Sequence, residues 1–326
     1  MRISMIALLC LPFFMGIGSQ APAQTSISIP SDSKFVLQVD LQSLKSSKIG
    51  ATLMTAAKKA AMNEVGKKTD DAEFSLKKVH EALGMDPFEE IQGIVLCASD
   101  YEKPEKSLLG MVHLKKTTGN IEGLLLSLPG YEKSDYGKYE IHSAAPSNEA
   151  KFVGAIHKNA IGNHTLVVGV NKATVTGLLD SLDAKSEGNN SLKSIELESD
   201  RKMIATLQLL ALPSKKIVGD GPQANIAALL SSFVLSVFEE DDEIEVRGAM
   251  KASTEKQADK IRQSIQGLAA MVELFVSLDD DADEDARKAM DLLKQVKVSQ
   301  DGNSVRVKLR LPSAKIAEMI QHEIDN

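Results

Sequence analysis

Near the C-terminus Val305, Val307, Leu309 and Leu311 alternate with Arg306, Lys308 and Arg310. A period of two sends successive side chains to opposite faces of a strand, so this stretch demands a sheet with one buried face and one wet face. Residues 243–251 repeat the pattern, with Ile244, Val246, Gly248 and Met250 against Glu245, Arg247 and Lys251. One-sided strands of this kind belong to antiparallel sheets with helices packed on one face, and the other face offers a docking surface.

Helical periodicity fills the intervals between strands. Ala258, Ile261, Ile265, Leu268, Val272 and Phe275 recur at spacings of three and four, which builds one apolar helix face. Leu76, Val79 and Leu83 do the same, as do Ile316, Met319, Ile320 and Ile324. Strands are expected at residues 35–41, 91–98, 108–114, 139–143, 151–157, 165–170, 203–210, 233–238 and 243–251, with a last hairpin turning at Asp301-Gly302.

The order β-α-β-β-α-β followed by β-α occurs over residues 34–183 and again over 202–324. Asn120–Leu128 and Thr174–Leu182 also share Gly, two Leu, Ser and a final Leu in register. The fold class expected is therefore α+β, as two tandem repeats of ferredoxin-like type with mainly antiparallel sheets. The polar run Ser186-Glu187-Gly188-Asn189-Asn190-Ser191 opens the linker. The boundaries read as 1–23 for a signal peptide, 24–185 for the first domain, 186–201 for the linker and 202–326 for the second domain.

The signal peptide rests on Arg2, an apolar run from Ile3 to Ile17 and the small-x-small site Ala21-Pro22-Ala23. It implies a mature chain from Gln24 that is exported, to the periplasm or beyond. The run is shorter than a membrane span, and Leu9 before Cys10 is not the small residue that a lipid-modified cysteine wants. No later stretch reaches spanning length. Cys97 is then the only mature cysteine, so an internal disulfide is impossible. It lies in an apolar run, Ile91–Cys97, which reads as a buried, inert strand position.

Composition narrows the partners. A net charge of −7 opposes binding to nucleic acid or bare anionic lipid. Lys58-Lys59, Lys67-Lys68 and Lys77-Lys78 are spread along helical stretches as solvated faces. With no tryptophan and four tyrosines, the chain has little with which to stack sugars or bases.

Chemistry is sparse, and no catalytic, cofactor or metal residue is assigned. Asp279-Asp280-Asp281-Ala282-Asp283-Glu284-Asp285 supplies carboxylates to a hard cation, but lacks the glycine and distal glutamate of an EF-hand. The run Glu239–Glu243 reads as a solvated hairpin tip. His157 and His164 flank a hairpin loop and would approach each other if they paired across strands, yet no third ligand accompanies them. His113 and His142 sit in strands without a motif. Gly219-Asp220-Gly221-Pro222-Gln223-Ala224 fits G-x-G-x-x-A, with Glu239-Glu240 about 20 residues on, but only Ile217-Val218 precede it where a full strand is needed. Ser75-Leu76-Lys77-Lys78 fits S-x-x-K without its partner motifs.

Ile29-Pro30-Ser31-Asp32-Ser33-Lys34-Phe35-Val36-Leu37-Gln38-Val39-Asp40-Leu41, continuing to Gly50, resembles the opening of a loose group of exported bacterial proteins of unknown function. The resemblance covers about 25 residues and implies an exported, non-enzymatic α+β protein; it transfers no functional residues. The function expected is thus a non-catalytic exported protein that binds a protein or envelope component. The alternative is a metal-binding protein or metal-dependent hydrolase using Asp281, Asp283 and Asp285 or the pair His157 and His164.

Overall fold

A computed structural model describes residues 28–55, 84, 86–101, 103, 106–115, 130–147, 150–158, 164–186, 192–194, 203–210, 222–278, 290, 292 and 294–325. The signal peptide, the basic pairs, Ser75–Lys78, Asn120–Leu128, Gly219–Gly221 and the acidic run from Asp279 lie outside these residues.

The first elements are β1 (Ser28–Pro30), β2 (Phe35–Asp40), α1 (Leu41–Lys45), α2 (Pro87–Glu90), β3 (Ile91–Ala98) and β4 (Leu109–Leu114). Then come β5 (Glu132–Tyr136), β6 (Tyr139–Ser147), β7 (Ala150–Lys158), β8 (His164–Gly169), α3 (Lys172–Ser186) and β9 (Leu192–Ser194). The C-terminal part holds β10 (Met203–Leu209), α4 (Pro222–Ala227), β11 (Leu230–Glu240), β12 (Glu243–Ala252), α5 (Glu255–Leu278), β13 (Lys297–Asp301), β14 (Ser304–Pro312) and α6 (Ser313–Asp325).

Helix and strand are mixed and strand pairing is antiparallel, as the alternating patterns require. Twelve strands form one sheet in the order β13-β14-β12-β11-β10-β2-β3-β4-β8-β7-β6-β5, while β1 pairs with β9 separately. The strands assigned to two domains are therefore joined, because β2 pairs with β10 and sets Leu37 opposite Leu207. In a split β-α-β unit a third strand separates the two that the helix connects. Here β2 and β3 pair directly.

Local chemistry explains where elements stop. Asp40 ends β2 and caps α1: its Oδ1 accepts from the backbone N–H groups of Gln42 and Ser43, both at 2.9 Å. Asn171 does the same for α3, accepting from the Thr174 N–H at 2.9 Å. Gly169, at the end of β8, allows α3 to approach closely, since a Cβ there would lie 2.9 Å from Val175 Cγ2.

The register shows which face each helix covers. Residues directly opposite on neighbouring strands share a face. Ala155, Val167, Met111 and Val95 form one cross-strand row, and α3 seals their side with Val175, Leu178 and Leu179. The same row continues through Gln38, Thr206, Ser236, Arg247, Lys308 and Lys297. It thus turns from apolar to polar at β2. On the opposite face Val39, Ala205, Val237, Val246 and Leu309 make an apolar row. That side is packed by Leu41 and Leu44 of α1, Ile316 of α6 and, farther along, Ala258 and Ile261 of α5. The helical layer changes sides at the centre of the sheet.

Candidate functional site

The change of side leaves the polar face of β12, β14 and β13 without a described helix. Ala249, Lys251, Arg306 and Arg310 on this face are exposed. Tight turns fix the register that builds it. The β13–β14 hairpin closes Asp301 onto Ser304 through Gly302, at φ 55°, and Asn303. The β11–β12 hairpin closes Glu240 onto Glu243 through Asp241 and Asp242, at φ 50° and 68°. Positive φ at both Asp241 and Asp242 is the type I′ geometry that matches the twist of paired strands.

Glu245 organises the face. Its side chain is 4% exposed, and it meets Arg247, Arg310 and, at 2.8 Å, Lys308. Burial pushes its carboxyl pKa up, but hydrogen bonds from Lys308, Arg247 and Arg310 outweigh this and bring it down to about 2. The Arg247 guanidinium also lies 4.6 Å from the Phe238 ring centroid, a cation–π contact. Next to this cluster Thr206 and Ser236 join hydroxyls at 3.1 Å, and Gln38 is buried with its Oε1 unpaired. Such an arrangement holds cations in place on the sheet face; among the described residues it presents no nucleophile with an adjacent base.

The residues singled out by motif are dispersed. His157 faces Thr165, whereas His164 faces Lys158. The two histidines therefore point to opposite faces of the sheet, and the pairing that a shared metal would need is not formed. His157 instead stacks on Tyr139, with ring centroids 6.0 Å apart, and its Nε2 lies 3.6 Å from Asp183 Oδ1. Tyr139 donates to that oxygen at 2.6 Å, and Lys138 reaches it at 2.9 Å. His113 meets Thr165 Oγ1 at 3.1 Å, and His142 meets the Tyr131 hydroxyl at 2.9 Å. Among the described residues no three His, Cys, Asp or Glu side chains gather as metal ligands.

The strand after α4 runs antiparallel to β10 and beside it, whereas a dinucleotide crossover requires parallel strands, so the G-x-G-x-x-A match has the wrong context. Glu239 is not solvated like the rest of its hairpin tip. It is buried, its Oε1 accepts from Ser313 Oγ at 2.8 Å, and burial holds its pKa above the usual carboxylate range. Cys97 is 1% exposed, and burial pushes its thiol up to about 11.

The cations of the open face were visible in sequence only as the wet side of two strands. Their assembly into a row depends on the register of β12, β14 and β13, which no local motif announces. Among the described residues no helix is long and apolar enough to cross a membrane.

No protein-family model matches the chain, and no curated protein matches it. Among solved structures, the chain is similar to crystal form III of TP0453, at 8% identity over 91% of this chain and 99% of that one, with a TM-score of 0.44. Crystal form IV of TP0453 gives 7% identity over 90% and 97% of the two chains and a TM-score of 0.43. Crystal form I gives 7% identity over 93% and 99% and a TM-score of 0.39.

Proposed function

We propose that this is an exported, non-catalytic protein that binds a protein or envelope partner through the face of β12, β14 and β13 that no described helix covers. One observation carries the reading. The described helices lie on the opposite side of these strands, which leaves a polar surface with exposed Ala249, Lys251, Arg306 and Arg310. Export is supported by the N-terminal sequence, with its apolar run and Ala21-Pro22-Ala23.

We read the two halves, 24–185 and 202–326, as tandem copies of one α+β unit. What supports duplication is the mirrored order about the central pair: β10-β11-β12 on one side and β2-β3-β4 on the other.

Site-specific photocrosslinking in the native envelope tests the binding face. A crosslinker at Ala249, on the face, should yield a discrete adduct that the same group at Ala173, on α3, does not. Adducts at neither position, or the same set at both, would remove the reading.

A further inference from the structure

On the open face Arg247 stands directly opposite Lys308, and Lys308 directly opposite Lys297. Like charges set opposite each other on neighbouring strands weaken a sheet. Folding does not ask for them, since neutral polar residues would preserve the alternation. Arg306 and Arg310 flank Lys308 two residues away on β14 and share its face. Glu245, and Glu243 at 3.7 Å from Arg310, offset two of the three charges of Arg247, Lys308 and Arg310, so the group stays positive within a chain of net charge −7. Lys297 is exposed, and Arg306 reaches Asp301 only at 3.6 Å. Solvent meets 57% of the Arg306 side chain, 37% of Lys308 and 44% of Arg310.

We propose that this row receives an extended acidic segment of a partner protein, laid along β14. The inference rests on the binding-face reading and supplies the chemistry of its partner. Arg306, Lys308 and Arg310 repeat every second residue, roughly 7 Å apart. An extended peptide presents alternate side chains at the same repeat, so acidic residues at every second position meet all three cations in register. The exposed carboxylates of Glu243 and Asp301 border the row. They repel a polymer of uniform dense negative charge and favour a patterned segment over nucleic acid or an anionic bilayer.

Fluorescence anisotropy on the full chain tests this. The probes are a labelled peptide with glutamate at alternate positions, a peptide of equal composition with its glutamates in one block, single-stranded DNA, and vesicles containing phosphatidylglycerol. The alternating peptide should bind most tightly and weaken as salt rises. The double variant Lys297→Glu/Arg306→Glu should lose roughly tenfold in affinity. Its unfolding midpoint serves as the folding control, and the neutral pair Lys297→Gln/Arg306→Gln should show a smaller loss in the same direction. Equal binding of the two peptides, unchanged affinity in the double variant, or tighter binding of DNA or vesicles would overturn the proposal. If the peptides fail while the Ala249 crosslink still forms, the acidic segment is wrong and the binding face stands. If both fail, the face itself is wrong.

Discussion

Glu245 lies directly opposite Arg310 across the β12–β14 pair, and its carboxylate accepts from the Arg310 guanidinium while almost sealed from solvent. A buried carboxylate is costly unless paired, and a like-charged row is costly unless broken by an anion. Each feature offsets the other. The cations keep Glu245 ionised, and Glu245 makes the cation-rich face compatible with a folded sheet.

Replacing Glu245 with Gln should therefore destabilise the protein by about 2–4 kcal/mol, because it leaves Arg247, Lys308 and Arg310 without their shared anion. The sign with pH follows from the lowered carboxyl, held at about 2. Its contribution is complete above the unfolded carboxylate value near pH 4 and disappears as pH falls toward 2. Urea unfolding of both proteins from pH 7 downward should show two curves that converge in acid. A constant gap between them would mean that the charge of Glu245 is not the source.

Alternation at Ile244–Met250 and Val305–Leu311 made β12 and β14 legible, because each has one wet face and one buried face. Strand β5 had no such signal. Glu132, Lys133, Ser134 and Asp135 are exposed on an edge, and they become a strand only by pairing with β6. The joining of the halves was equally silent. Phe35–Asp40 and Met203–Leu209 are far apart in sequence, and both faces of β2 are buried, through Val36 on one side and Val39 on the other. A burial pattern without alternation cannot show that the helices change sides there. The histidines illustrate how sharply register decides a site. A shift of one residue moves every side chain to the other face, and that single residue separates His157 from His164.

Cys97 should be chemically silent in the folded chain. Its thiol is raised to about 11 by burial, with Asp32 adding to this and Ser33 opposing it, so almost no thiolate exists at neutral pH. A colorimetric thiol reagent should leave it unmodified for as long as the protein stays folded and titrate it fully in urea. Rapid modification under native conditions would show that β3 is open to solvent at this point.

Asp241 occupies the first central position of a type I′ turn at φ 50°. Asparagine tolerates this left-handed backbone better than aspartate and carries no charge, which relieves repulsion among Glu240, Asp242 and Glu243. Asp241→Asn should stabilise the chain by about 0.5 kcal/mol. Asp242 is the poorer site for substitution because it pairs with Lys48. The check is the urea midpoint at unchanged slope. A lower midpoint would show that the Asp241 carboxylate contributes more than its backbone strain costs.

His157 sets a second pH dependence, with the opposite chemistry of Glu245 and the same direction of loss. Burial against Tyr139 lowers its pKa; Asp183 raises it without prevailing, and Lys138 pushes it lower. The folded chain thus keeps the ring neutral at pH values where the unfolded chain, titrating near 6.5, takes up a proton. Stability must fall as pH drops through that value, because the unfolded state binds more protons. His113 and His164, both lowered by burial, add to the same slope. Unfolding free energies at about pH 7.5 and 5.5 should show the loss in the native chain and a shallower loss in His157→Asn. An unchanged slope in that variant would assign the dependence to His113 and His164 and leave the His157–Tyr139 contact as packing alone.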